Sequence, residues 1–146
     1  MRWGTIDQVP VTRKNINKIL EFLPYFGDKS NYFFALIEKR EDKPGICHVP
    51  YYKPSPEILD FIYALKMENF LLPYDWDKDM SHILRFINGK RSMSEANLPD
   101  IRKIFITLSV GEKFCDGYLV NAVNSGVVLD ALKRLEEIRK ETLKLN

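Results

Sequence analysis

Residues 113–117, Lys-Phe-Cys-Asp-Gly, set a thiol beside a carboxylate, a cation and a glycine. A cysteine near a helix N-terminus and a cation can have its pKa lowered into the reactive range. If a helix begins near Asp116, Cys115 meets both conditions, with Lys113 supplying the charge. Two features oppose a nucleophile. Adjacent Asp116 disfavours a second negative charge, and nucleophilic catalysis needs a positioned base. The chain has two histidines, His48 and His82, and neither is close in sequence. The structural alternative is simpler: Cys115 behaves as a small buried hydrophobe, Asp116 caps the next helix, and Gly117 takes a geometry that a Cβ would block. The structural reading is favoured.

Other candidates are weaker. Asp75, Asp77 and Asp79 alternate as in the opening of an EF-hand loop. That loop requires glycine at its sixth position and glutamate at its twelfth, where this chain has Met80 and Phe86. Cys47, His48, His82 and Cys115 lack the short paired spacing of a zinc site, so no metal and no cofactor are expected. Basic doublets recur at Lys90-Arg91, Arg102-Lys103, Lys133-Arg134 and Arg139-Lys140. On one face they would form a phosphate-binding strip, and Tyr51, Tyr52, Tyr63 and Trp76 could stack on bases. The net charge of only +2 gives that reading no lift. Phosphate-loop, dinucleotide, nucleophile-elbow and metalloprotease motifs are absent.

The elements that would position these residues are mostly helical. Ile16, Ile19, Leu20 and Leu23 fall at i, i+3, i+4 and i+7, one face of a helix. The spacing repeats at Ile58, Phe61, Ile62 and Leu65, at Met80, Ile83, Leu84 and Ile87, and at Ile101, Ile104, Phe105 and Leu108. Ser55-Pro56-Glu57 supplies an N-cap, a first-turn proline and an acidic first turn. Asp77 and Asp79 suit the start of the third helix and Gly89 its end. Asn97 and Pro99 open the fourth, which Gly111 should close. Tyr32–Ile37 is aromatic and apolar, as a strand prefers. Glu41–Gly45 then reads as a turn and Ile46–Val49 as the partner strand.

A short helix around Leu119, Ala122 and Val123 should end near Asn124–Gly126. A last helix carries Val128, Ala131, Leu135, Ile138, Thr142 and Leu145 at alternating spacings of three and four. That alternation covers under three heptads, so folding back onto the core is favoured over a coiled coil.

A chain of 146 residues that is 45% hydrophobic and 29% charged fits one globular domain, here 1–146, with residues 1–14 as an extended N-terminal arm. The first residues lack the apolar stretch of a signal peptide, and no apolar run approaches the length needed to span a bilayer. With two distant cysteines, a cytoplasmic chain with free thiols is expected.

Three separated segments resemble, in the same order, a prokaryotic family of uncharacterised proteins. They are Asn15–Phe26 (NINKILEFLPYF), Val49–Phe70 with its P-Y-Y, S-P-E, A-L and E-N-F, and the K-F-C-D-G turn followed by G-V-V-L-D-A-L-K-R-L. The resemblance covers about residues 15–139 and implies a lone domain of this size. It also implies an arginine-Phe-Cys-acidic-Gly turn before two C-terminal helices. It carries no established activity. This chain has Lys113 in place of the arginine, which removes two-pronged hydrogen bonding to an anion.

Together these observations predict a mainly helical α+β fold, about six helices in a bundle with one small β-hairpin. The expected role is a non-catalytic protein-interaction module, pairing with a partner or with itself through the C-terminal helix. The rivals are a small hydrolase or transferase centred on Lys113, Cys115 and Asp116 with Arg102 nearby, and a weak nucleic-acid-binding domain. Arg102, Trp76, Tyr51 and Tyr52 are the candidate binding residues.

Overall fold

The computed structural model describes residues 9–37, 40–43, 46–48, 51–72, 80–114 and 117–143. The fold is mainly helical α+β. Thr12 opens α1 (Arg13–Leu20) with a capping box, its hydroxyl accepting from the Asn15 N–H while Asn15 accepts from the Thr12 N–H. This start falls slightly before the end of the arm expected over 1–14. The first apolar stripe does not make one helix through Leu23. The chain breaks at Glu21-Phe22 and restarts as α2 (Leu23–Gly27). Pro24, which has no N–H to continue the first helix, sits in the first turn of the second, where none is needed.

A β-ribbon follows. Strand β1 (Phe34–Ile37) pairs antiparallel with β4 (Tyr51–Pro54), and within them β2 (Arg40–Lys43) pairs with β3 (Ile46–His48). From Ile37↔Tyr51 to Arg40↔His48 the two strands advance by the same number of residues, so both ladders share one register. A bulge lies between Glu41 and Lys43. The hairpin is therefore longer than expected and differently paired. Residues 34–37 meet 51–54 rather than 46–49, and Glu41–Lys43, read as turn, form the inner strand.

Ser55 then caps α3 (Pro56–Met67), its Oγ accepting the Ile58 N–H at 3.2 Å. After α4 (Met80–Ile87), Gly89 takes a left-handed φ of 78° and a 3-10 turn (Met93–Glu95) leads to α5 (Leu98–Phe114). Asn97 and Asp100 cap α5 reciprocally: Asn97 Oδ1 accepts the Asp100 N–H at 2.9 Å and Asp100 Oδ2 the Asn97 N–H at 3.1 Å. Asp77 and Asp79 lie outside the described residues. Last come α6 (Tyr118–Asn124) and α7 (Val127–Leu143).

The core is where the stripes meet. Ile19, Ile83, Ile101, Ile104, Leu132 and Leu135 are wholly buried. A chain of edge-on aromatic contacts, 4.9–6.1 Å between centroids, runs Phe26–Phe61–Phe105–Phe70 from α2 through α3 and α5 to the α3–α4 connection. On α4 the buried pair is Ile83 and Phe86, with Leu84 and Ile87 only half-buried. The apolar stripe of α7, from Val128 to Ile138, faces α1, α2, α5 and α6 and is covered by them. The last helix thus folds back on the core. Among the described residues no helix is long and apolar enough to cross a membrane.

Candidate functional site

The end of α5 is built differently from its sequence signals. Gly111 does not close the helix, which continues to Phe114. Instead a Cβ at 111 would lie 2.6 Å from Tyr118 Cδ1 and 3.0 Å from its Cγ. Glycine is there so that the Tyr118 ring, at the start of α6, can lie on the α5 backbone. The N-cap of α6 is Gly117, at φ 91°, and no side chain on it caps the helix. The acceptor comes from the preceding helix: Glu112 Oε2 takes the Leu119 N–H at 2.9 Å and Oε1 the Gly117 N–H at 3.3 Å. Glu112 thus serves the first turn of α6. Cys115 and Asp116 themselves lie outside the described residues.

Beside this corner is a partly open cavity of about 160 Å³. Its wall includes Phe61, Ile62 and Leu65 of α3, Phe105 and Leu108 of α5, Leu119 of α6 and Val128 of α7. Ser109, Glu112 and Lys113 line it where α5 comes to the surface. Lys113 is exposed and makes no ion pair among the described residues. The cavity is apolar inside, with Ser109, Glu112 and Lys113 at its edge.

The other expected site residues are placed apart from it. Arg102 is 4% exposed and its Nη2 donates to the carbonyls of Val9 and Asn69, both at 2.8 Å. Asn69 has a left-handed φ of 67°, which an asparagine tolerates. Arg102 therefore ties the chain before α1 to the end of α3, from inside the protein. Tyr51 and Tyr52 stand half-exposed on β4. Trp76 lies outside the described residues, as does the run Asp75–Asp79. Cys47 and His48 fall on β3. Among the described residues no cluster of three or more metal-ligating side chains occurs.

His82 has a definite role that spacing did not reveal. Its Nδ1 lies 3.1 Å from Arg91 Nη1 and its Nε2 3.1 Å from Asp100 Oδ1. Arginine can only donate, so Nδ1 accepts and Nε2 carries the proton given to Asp100. The Arg91 guanidinium also lies over the Phe86 ring, 5.0 Å from its centroid. Both imidazole nitrogens are engaged in joining α4 to α5. Tyr25 is a second such junction. Its hydroxyl donates to the Tyr32 carbonyl and accepts from Ser55 Oγ, each at 2.6 Å, linking α2, the ribbon and α3. Burial, more than any other influence, holds its pKa above the usual tyrosine value.

Two stripes on α3 complete the picture. Ile58, Phe61 and Leu65 are buried, while Leu59, Tyr63 and Met67, four residues apart, are 54%, 64% and 56% exposed. The spacing of Ile58, Phe61, Ile62 and Leu65 pointed to the inner face alone; the outer row at i, i+4 and i+8 is a second pattern in the same stretch.

With this geometry in place, comparison with protein families finds that residues 11–141 match the model of a family of unknown function, DUF6508. The chain belongs to this family. The DUF6508 match takes in every described helix but the last two residues of α7, and so covers the cavity, the α5–α6 corner and both sides of α3. Neither the curated proteins nor the solved structures yield a match.

Proposed function

We propose that the protein is a cytoplasmic, non-catalytic interaction module that docks a partner protein through the outer side of α3 and the base of the ribbon. One observation carries this reading. Apart from Val9, every large apolar side chain that is exposed among the described residues lies between Tyr32 and Met67: Tyr32, Leu36, Tyr51, Tyr52, Leu59, Tyr63 and Met67. Tyrosine and methionine are enriched at protein interfaces, and such a concentration on two adjoining elements is what a partner would cover. The docking side is assigned to α3 rather than α7, because a partner lying on α7 would meet Lys133, Glu137 and Lys140 instead of its buried stripe. Glu57 and Asp60 on α3 disfavour a phosphate backbone there, which supports protein over nucleic acid. The engagement of both His82 nitrogens supports the non-catalytic half, since it withholds that base from a thiol nucleophile. The small number of cysteines supports the compartment.

A photoreactive residue placed at position 63 should cross-link one partner that the same residue at 133 does not. Leu59→Lys with Met67→Glu should abolish that cross-link while leaving the thermal melt in place. Equal labelling from both positions, or labelling that survives the double substitution, refutes the docking face. Light scattering identifies the occupant as a second copy if a dimer forms and the same pair dissolves it. Native-state alkylation, mapped separately at Cys47 and Cys115, tests the rest: a Cys115 rate well above that of a free thiol would restore the enzyme reading.

A further inference from the structure

We infer that the cavity between α3, α5 and α6 is a binding site for a small monoanionic molecule with a compact apolar body, such as an aromatic or short aliphatic carboxylate. Volume sets the body. At about 160 Å³ the cavity matches apolar protein cavities of about 150 Å³ that stay dry and accept a benzene-sized guest. The wall chemistry agrees, because Phe61, Leu65, Phe105 and Leu108 present no hydrogen-bonding side-chain group to a ligand.

The rim sets the charge. Lys113 and Glu112 both border the cavity, but they are not equivalent. The two Glu112 oxygens already accept the Gly117 and Leu119 N–H groups. Lys113 keeps its three donors for an incoming group. A carboxylate can pair with Lys113 without breaking a bond of the protein, whereas an ammonium would have to share Glu112 oxygens that each already accept an α6 N–H. Ser109 adds a hydroxyl at the same edge. None of this uses the outer stripe of α3, so the site stands or falls separately from the docking surface.

The test is titration of the full chain, followed by amide and methyl NMR, with benzoate, hexanoate, benzyl alcohol and benzylamine. Benzoate and hexanoate should give saturable shifts centred on Leu65, Leu108 and Leu119, in the millimolar range of ligands with about nine heavy atoms. Benzylamine should bind about three- to tenfold more weakly. Lys113→Gln should weaken benzoate about two- to fivefold and leave benzyl alcohol unchanged. Ser109→Phe, which fills the cavity from a half-exposed position, should weaken every probe by more than about tenfold. Leu119→Phe serves the same purpose if that variant fails to fold. Tyr63→Lys should leave all four affinities unaltered. No saturable shift up to about 10 mM, or binding indifferent to both filling substitutions, overturns the site. Benzoate binding that ignores Lys113→Gln overturns the anionic assignment.

Discussion

Replacing Gly111 by alanine sets two known effects against each other at one atom. Within a helix alanine is better than glycine by up to about 1 kcal/mol, and Gly111 lies in the last turn of α5. On helix propensity alone the variant should be more stable. The new methyl, however, would be placed 2.6 Å from Tyr118 Cδ1, 2.8 Å from Cε1 and 3.0 Å from Cγ. Ordinary carbon contacts start near 3.5 Å, so about 1 Å of displacement is required. The nearest atoms include the root of the ring, which a rotation about χ2 cannot withdraw. Either the ring or α6 must move, and overpacking of this kind costs about 1–3 kcal/mol. The net expectation is a loss of about 1 kcal/mol, read as a lower urea midpoint at unchanged slope.

The decisive measurement is the cycle with Tyr118→Ala. In that background the obstruction is gone, and Gly111→Ala should stabilise by about 0.5–1 kcal/mol. The coupling between the two sites should therefore be about 1–3 kcal/mol. An equal effect of Gly111→Ala in both backgrounds would refute the claim that glycine is held there by the ring.

Glu112→Ala should destabilise by about 0.5–2 kcal/mol, as loss of a helix cap does, and speed hydrogen exchange at the Leu119 amide; Glu112→Gln, which keeps one acceptor, should do less of both. Tyr25→Phe should cost about 1 kcal/mol near neutral pH, because Tyr32 and Ser55 lose a partner. The raised pKa of Tyr25 also has a signed consequence. The folded state holds the phenol proton more tightly than the unfolded chain does. That contribution is complete below about pH 10 and is lost as pH rises through the folded-state pKa. The wild-type urea midpoint should thus fall more steeply between about pH 9 and about pH 11 than that of Tyr25→Phe, and parallel alkaline limbs would contradict the assignment.

Apolar periodicity revealed most of the helical part of the fold, because it is a local property and the core later used it. Ile58, Phe61 and Leu65, and all four of Ile101, Ile104, Phe105 and Leu108, are buried as spaced. The shortfalls arose where a distant residue decides. The stripe through Leu23 hides a break that Pro24 imposes. Glu41–Gly45 read as a turn, but which residues pair across a hairpin depends on strand register. Register is fixed by side-chain placement along the whole ribbon. Gly111 carries the same letter whether it ends a helix or admits a ring, and only the position of Tyr118 distinguishes the two. At the candidate site, Lys113 was legible and the cavity beside it was not, since its walls come from four helices and the α3–α4 connection. His82 and Asp100 are eighteen residues apart, so no local pattern announced their bond.

The shared register of the two ladders restricts how this arm can vary among kindred chains. Inserting one residue in a single strand would turn Leu36 or Tyr52 to the opposite face, unless a second bulge absorbed it. Growth or shortening that preserves both faces must come as matched pairs on the two strands. Length differences in this segment should therefore come in multiples of two, a pattern that a collection of natural variants would display directly.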